Sequence, residues 1–253
     1  MNTEYFVAKE SVVRKIWGKS DTILLIFAGA SAEFALNKAV DWLYVTGRLP
    51  VDPIGRLFST VSYAQSIVFS EKQAAFRTID SMTTIHSSVE TKRGATIPAW
   101  AYRDVLFLLI DYSIRSFEVL ERKLSSAEKN DVFQVFNNLG SRMKLTGLPE
   151  TFAAWEVMRQ EHLKENLRHS DYTDDLYNQY KKHLGTFRYG ILREAQKLVM
   201  PHHVIELLQL RKISLLSPFV RFYKICRWLK LDWLLKALIL PPSYEKQIMA
   251  LDR

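Results

Sequence analysis

Apolar side chains recur along this chain at steps of three and four, and almost nowhere in strict alternation, which predicts helices throughout. Asp21 can cap a long apolar helix through about Val45, ended by Gly47 and Pro50. Asp52-Pro53 starts the next, with Pro at the first helical position, and that helix runs to about Phe69. Ser70-x-x-Gln73 reads as a capping box. It opens a helix whose inward stripe is Ala75, Ile79, Met82, His86 and Val89, broken at Lys92-Arg93-Gly94. Pro98 begins a long apolar helix through Phe117 that carries Asp104, Asp111 and Arg115 amid aromatics. Ser125-x-x-Glu128 is a second capping box, opening a helix to about Leu139, and Thr151 starts another with Phe152, Trp155 and Met158 at helical spacing. Asp171 to about Met200 reads as one or two helices interrupted near Gly185 and Gly190. A short helix follows Pro201, and a last long one runs from Pro218 through Trp228 and Trp233 to Pro241-Pro242. No hairpin signal, internal repeat or linker interrupts the series, so the pattern predicts one all-α domain over residues 1–253.

One member of the inward stripe is an imidazole. A buried polar ring needs a partner, and for His86 that partner could be a carbonyl, a carboxylate, a water or a metal. A second polar pair lies upstream. Arg56 and Thr60 are four residues apart, so they share a helix face that Tyr63 and Ile67 continue. If that face points inward, the Arg requires an anionic or polar partner; at the surface a local acid would serve.

Composition narrows the function classes. Hydrophobic residues make up 48% of the 253-residue chain, with 9 Gly and 8 Pro, enough apolar material for a core. The single Cys226 excludes an intramolecular disulfide and a thiolate metal site. The first ten residues are acidic and lack the apolar core of a secretory signal, and the apolar runs at 22–30 and 105–110 are too short to span a bilayer. The expectation is a cytoplasmic protein, at most peripheral to a membrane. The net charge of +8 is uneven: residues 181–253 hold 14 Lys+Arg against 5 Asp+Glu, while residues 1–180 are near balance. Basic and aromatic residues mix between Phe219 and Lys236, which predicts a membrane-surface contact or a core helix with a charged edge. No nucleic-acid-reading motif accompanies that charge, so nucleic acid is not an expected partner.

Other chemistry is absent or weak. There is no Gly-rich phosphate loop and no nucleophile elbow. His202 and His203 are adjacent and diverge on a helix. His162 and His169 sit among charges and read as a solvated face, and Asp174-Asp175 read as first-turn acids.

An ordered series of short motifs resembles one family. It runs from Arg56-x-x-x-Thr60 and Val68-Phe-Ser-Glu71 to Ile85-His86-Ser-Ser-Val89. It continues through Leu124-Ser-Ser-Ala-Glu128, Gly147-Leu-Pro149, Thr151-Phe-Ala-Ala-Trp155 and Leu240-Pro-Pro242 with Tyr244. Together these are similar to the ER-bound oxygenase (mpaB) and rubber oxygenase (latex-clearing protein) catalytic-domain family, over roughly residues 17–250. The resemblance implies an all-helical fold with a globin-reminiscent pocket for b-type haem. It implies His86 as the proximal iron ligand, Ile79 and Met82 lining the cofactor, and Arg56 and Thr60 beside it as residues that matter for activity. It further implies dioxygen and an apolar, isoprenoid or lipid-like substrate. Departures accompany it: Glu90 stands where many rubber oxygenases have Arg, Ser59 where some have Lys, and Phe107-Leu-Leu-Ile110 lacks a His common in the family. They argue against rubber as substrate. Two alternatives stay open, a non-catalytic haem-binding or sensing module and a cofactor-free helical protein that binds a membrane surface or a partner.

Overall fold

The computed structural model describes residues 4–44, 53–228 and 250–253, with the side chains of Leu43, Pro53, Ile54, Arg56 to Ser59 and Trp228 outside that description. Ten α-helices form among the described residues: α1 Val12–Trp17, α2 Ser20–Leu36, α3 Pro53–Phe69, α4 Lys72–Arg93, α5 Ala99–Leu120, α6 Ser126–Arg142, α7 Phe152–Glu165, α8 Asp171–Val199, α9 His202–Leu207 and α10 Ser217–Trp228. A 3-10 turn, Val40–Tyr44, follows α2. The only bridges among these residues are two isolated ones, so the all-α expectation stands. The Gly47 and Pro50 stop, and the course of the last helix through Trp233 to Pro241-Pro242, lie outside the described residues.

α2 is the axis. It packs along both α5 and α8, and the main core fills the space between them with side chains from α1, α6 and α7. Its sequence explains that position: thirteen of its seventeen residues are buried, so the helix is apolar nearly all round and must be enclosed. Trp17, fully buried, donates its indole N–H to Ser113 Oγ at 3.2 Å and packs against Phe27 and Phe136. α5 packs tightly on α2 at Gly29, where a Cβ would lie 2.3 Å from the Tyr112 ring.

Two boundaries differ from the sequence expectation. α2 ends at Leu36, not near Val45. Asn37 folds back to accept the Ala39 N–H at 2.8 Å, while residues 166–168 run antiparallel to it and take up the end carbonyl of Leu36. A side chain that satisfies the backbone locally competes with the helix and stops it. The Ser70 capping box is also not used. α4 starts at Lys72, whose N–H donates to the Glu4 carbonyl at 2.9 Å, so the N-terminal segment supplies the acceptor instead. The Ser125–Glu128 box forms as read, and the Thr151 hydroxyl caps α7. α1, which the periodicity left unread, is too short to show a helical stripe.

Gly29→Ala isolates the close approach. Helix propensity alone favours Ala by about 1 kcal/mol, but the methyl must displace a buried tyrosine ring, an overpacking cost of about 1–3 kcal/mol. The net expectation is a lower melting temperature in thermal unfolding, where an exposed helical Gly→Ala change would raise it.

Candidate functional site

α3 and α4 form an antiparallel hairpin turning at residues 70–71. At 1.5 Å per residue, Arg56 and His86 lie at comparable heights along it, each about 20–24 Å from the turn. The inward stripe of α4 is buried only in its first half. Ala75 and Ile79 are fully buried with Ile67, and Met82 packs beside Leu139 and Met143 of α6. Beyond Met82 the helix leaves the core: His86 and Val89 are half-buried and Ile85 is exposed. The His86 imidazole meets the Tyr102 ring of α5 edge-on, centroids 5.2 Å apart. Val105, one turn along the same face of α5, is also exposed. The imidazole thus stands at the outer end of an apolar stripe, against Tyr102 of α5.

The end of α4 is held from two sides. Glu90 accepts the Ile97 N–H at 2.8 Å and the Tyr102 hydroxyl at 3.3 Å, bracing the turn that follows Gly94. Partial burial and the Glu90 charge push the Tyr102 hydroxyl above its ordinary range, so it stays a neutral phenol. Arg93 pairs with Asp41 at 2.5 Å and stacks on Trp42 at 3.9 Å, tying α4 to the 3-10 turn. On α3, Ile67 reaches the core, Tyr63 is half-buried and Thr60 is exposed. Tyr63 lines an open, hydroxyl-rich groove of about 450 Å³ with Ser66, Thr78 and Ser81. Ser81 and Thr78 each precede a stripe residue, so that groove lies about 100° around α4 from the His86 side.

A second polar constellation sits inside the bundle. Arg159 on α7 is 2% exposed and Glu33 on α2 is fully buried. The guanidinium donates to Glu33 Oε1 at 2.5 Å and Oε2 at 2.6 Å, and to Asp111 Oδ2 at 3.0 and 3.1 Å. Tyr112 donates to Glu33 Oε2 at 2.9 Å, and Arg115 closes on Asp111 Oδ1 at 2.6 Å. His162, expected on a solvated face, is buried. Its Nε2 lies 3.2 Å from Glu33 Oε1 and its Nδ1 2.5 Å from Asp104 Oδ1. Asn37 and Asn166 complete Asp104 with amide donors at 3.0–3.2 Å. The correction has a simple cause: Trp155, Arg159, His162 and Leu163 form one face of α7, and that face is turned to α2 and α5.

The charges close. Arg159, Arg115 and a protonated His162 balance Glu33, Asp111 and Asp104. A neutral imidazole has one N–H, yet both ring nitrogens face carboxylate oxygens, so both must donate. Burial lowers the His162 pKa, but the hydrogen bonds to Asp104 and Glu33 outweigh it and raise it above 6.5. Burial raises the Glu33 carboxyl, but the charge and hydrogen bonds of Arg159, with His162, hold it at about 2. No group of three or more His, Cys, Asp or Glu among the described residues is arranged to hold a metal ion, and the carboxylates here are paired with Arg159, Arg115 and His162 as an ion-pair cluster.

The ER-bound oxygenase mpaB/B'/rubber oxygenase catalytic-domain model matches residues 16–231. The chain belongs to this family. No curated protein and no solved structure matches it significantly. As a member of the mpaB/rubber oxygenase family it carries His86, Met82 and Ile79 on one stripe of α4. It places Arg56 and Thr60 one turn apart on the neighbouring α3, with the Arg56 side chain outside the described residues. Sequence reading missed Glu33 and Arg159. Their only signal was an acid deep in an apolar helix, far from its first turn, and one Arg on the face of Trp155.

Removing Arg159 strands two buried carboxylates. Arg159→Met should cost about 3–5 kcal/mol in chemical unfolding, and adding Glu33→Gln should recover part of it. The cluster also sets a pH window. Glu33 is depressed, so its contribution is complete above 4.5 and lost as pH falls toward about 2. His162 is raised, so its contribution is complete below 6.5 and lost as pH rises through its folded value. Unfolding free energy measured against pH should peak between those limits, and His162→Gln should flatten the alkaline fall.

Proposed function

We propose that the protein is a haem-dependent oxygenase-like enzyme that holds b-type haem through His86 and acts with dioxygen on an apolar, lipid-like substrate. The observation that carries this reading is the place of His86, half-buried at the open end of the Ile79–Met82 stripe. An axial imidazole needs a dry flank beside it, and Ile79 and Met82, packed against the core on the same stripe, supply one. His162 does not fit the role, because both its nitrogens are engaged by carboxylates.

Bound haem would supply the oxygen chemistry, and this chain would supply binding, orientation and dryness. His86 would give one ring nitrogen to iron. Tyr102, fixed by Glu90, would hold the imidazole edge and limit its rotation. Met82 and Ile79 would exclude water from the flank of the site. Arg56, always charged, would anchor an anionic group such as a propionate, and Thr60 would offer its hydroxyl as a hydrogen-bond donor or acceptor nearby. The family membership and the apolar stripe support an apolar substrate.

A second reading, a haem-binding module without turnover, is favoured by Glu90. This acid braces the turn at 94–97 at a position where many rubber oxygenases place Arg, so the chain has given that position to structure. Oxygen consumption with an apolar alkene separates the two.

Expressed with a haem precursor, the protein should show a Soret band, and His86→Ala should lose or shift it while His162→Gln, if folded, keeps it. A Soret band unchanged in His86→Ala would remove His86 as ligand. No band in the wild type would leave a cofactor-free helical scaffold.

A further inference from the structure

One end of the bundle carries an unusual surface. α10 presents Phe219, Phe222 and Ile225 to solvent, each more than half exposed, and Ile213 and Leu215 just before it are exposed as well. From Leu207 through Leu231 the chain contains no Asp or Glu, while Arg211, Lys212 and Arg221 are exposed among the apolar side chains. The other side of α10 faces the protein: Tyr223 donates to Asp21 at 3.0 Å, and Arg227 pairs with Asp21 and Glu121.

Glu121 also lines a cavity of about 720 Å³ walled by Lys9, Arg14, Lys15, Arg122 and Arg253. Arg14 and Arg253 both stack on the Phe69 ring, at 5.4 and 5.1 Å. Two guanidinium groups converging on one phenyl ring repel each other, and an anion in the cavity would offset that repulsion. The cationic cavity and the apolar helix therefore meet at one residue, at the C-terminal end of α5.

We propose that this end of the bundle docks on an anionic lipid surface. The cavity seats headgroup phosphate or carboxylate, and Phe219, Phe222, Ile225, Ile213 and Leu215 enter the headgroup–acyl boundary. Charge decides against a second copy as the occupant, since pairing two such faces would bring their Arg and Lys residues together. An apolar stripe flanked by cations is complementary to anionic lipid. No described helix is long and apolar enough to cross a membrane, and in-plane docking needs none. The surface lies about 28 Å along α5 from Tyr102, so it stands independently of the haem reading.

The test is co-sedimentation of the full chain with vesicles of phosphatidylcholine alone and with 30% phosphatidylserine added. The proposal expects binding at least about tenfold stronger to the anionic vesicles, weakened by high salt. Lys9→Glu with Lys15→Glu should abolish that preference, and Lys9→Arg with Lys15→Arg should keep it. Phe222→Ser with Ile225→Ser should weaken binding at least about tenfold. All four positions are solvent-accessible, and circular dichroism confirms folding. Equal binding to both vesicles, no binding, or binding unchanged in the variants would overturn the proposal. So would a wild-type dimer that the Ser pair converts to monomer.

Discussion

Enclosing a guanidinium in an apolar bundle is the constraint on which this architecture turns. Arg159 can be buried only if carboxylates meet it from more than one helix, and Glu33 of α2 and Asp111 of α5 do so. Asp104 and His162 extend the arrangement so that three cations face three anions. Such a cluster adds little net stability over a well-packed apolar core, because desolvation offsets the attraction. Its consequence is geometric. Three helices whose apolar surfaces could slide by a turn are held in one register, since any slip would leave a buried charge unpaired.

That register aims the rest of the molecule. Asp104 and Tyr102 lie two residues apart on α5, about 200° around the helix. Fixing Asp104 against His162 inside the bundle therefore directs Tyr102 outward, toward α4 and the His86 imidazole. α4 leaves the core beyond Met82, and its far end is tied down by Arg93–Asp41 and by Glu90. The candidate cofactor site is thus the half-buried end of the α4 stripe beside Tyr102, on the far side of α5 from the buried ion-pair cluster. The two histidines differ in surroundings: His162 faces carboxylates on both nitrogens, while His86 is half-buried against the Tyr102 ring.

Helix-scale periodicity made most of the fold legible, because each long helix buries one stripe and the caps at Ser125 and Thr151 are local chemistry. What stayed hidden was chemistry set by partners distant in sequence. Glu33 and Arg159 are 126 residues apart and neither carries a local mark of its partner. His162 lay in a polar-looking segment because its face of α7 mixes Arg, His and Trp, and charge alone does not say that a face is turned inward. The early end of α2 depended on Asn37 meeting residues 166–168, again a tertiary event. The first half of the His86 stripe was legible from its spacing; its outer half was not, because α4 leaves the core beyond Met82, and the ordered motifs around it carried the family.

The central claim is that His86 is the ligand and His162 the structural cation. Nitrogen-15 NMR of the six imidazole rings, before and after addition of zinc protoporphyrin as a diamagnetic porphyrin, tests both halves in one experiment. The account predicts a large shift at one His86 nitrogen on binding. It also predicts that His162 has both nitrogens protonated near pH 6 and does not change. A neutral His162 tautomer, or a porphyrin-induced shift at His162 with His86 untouched, would contradict it.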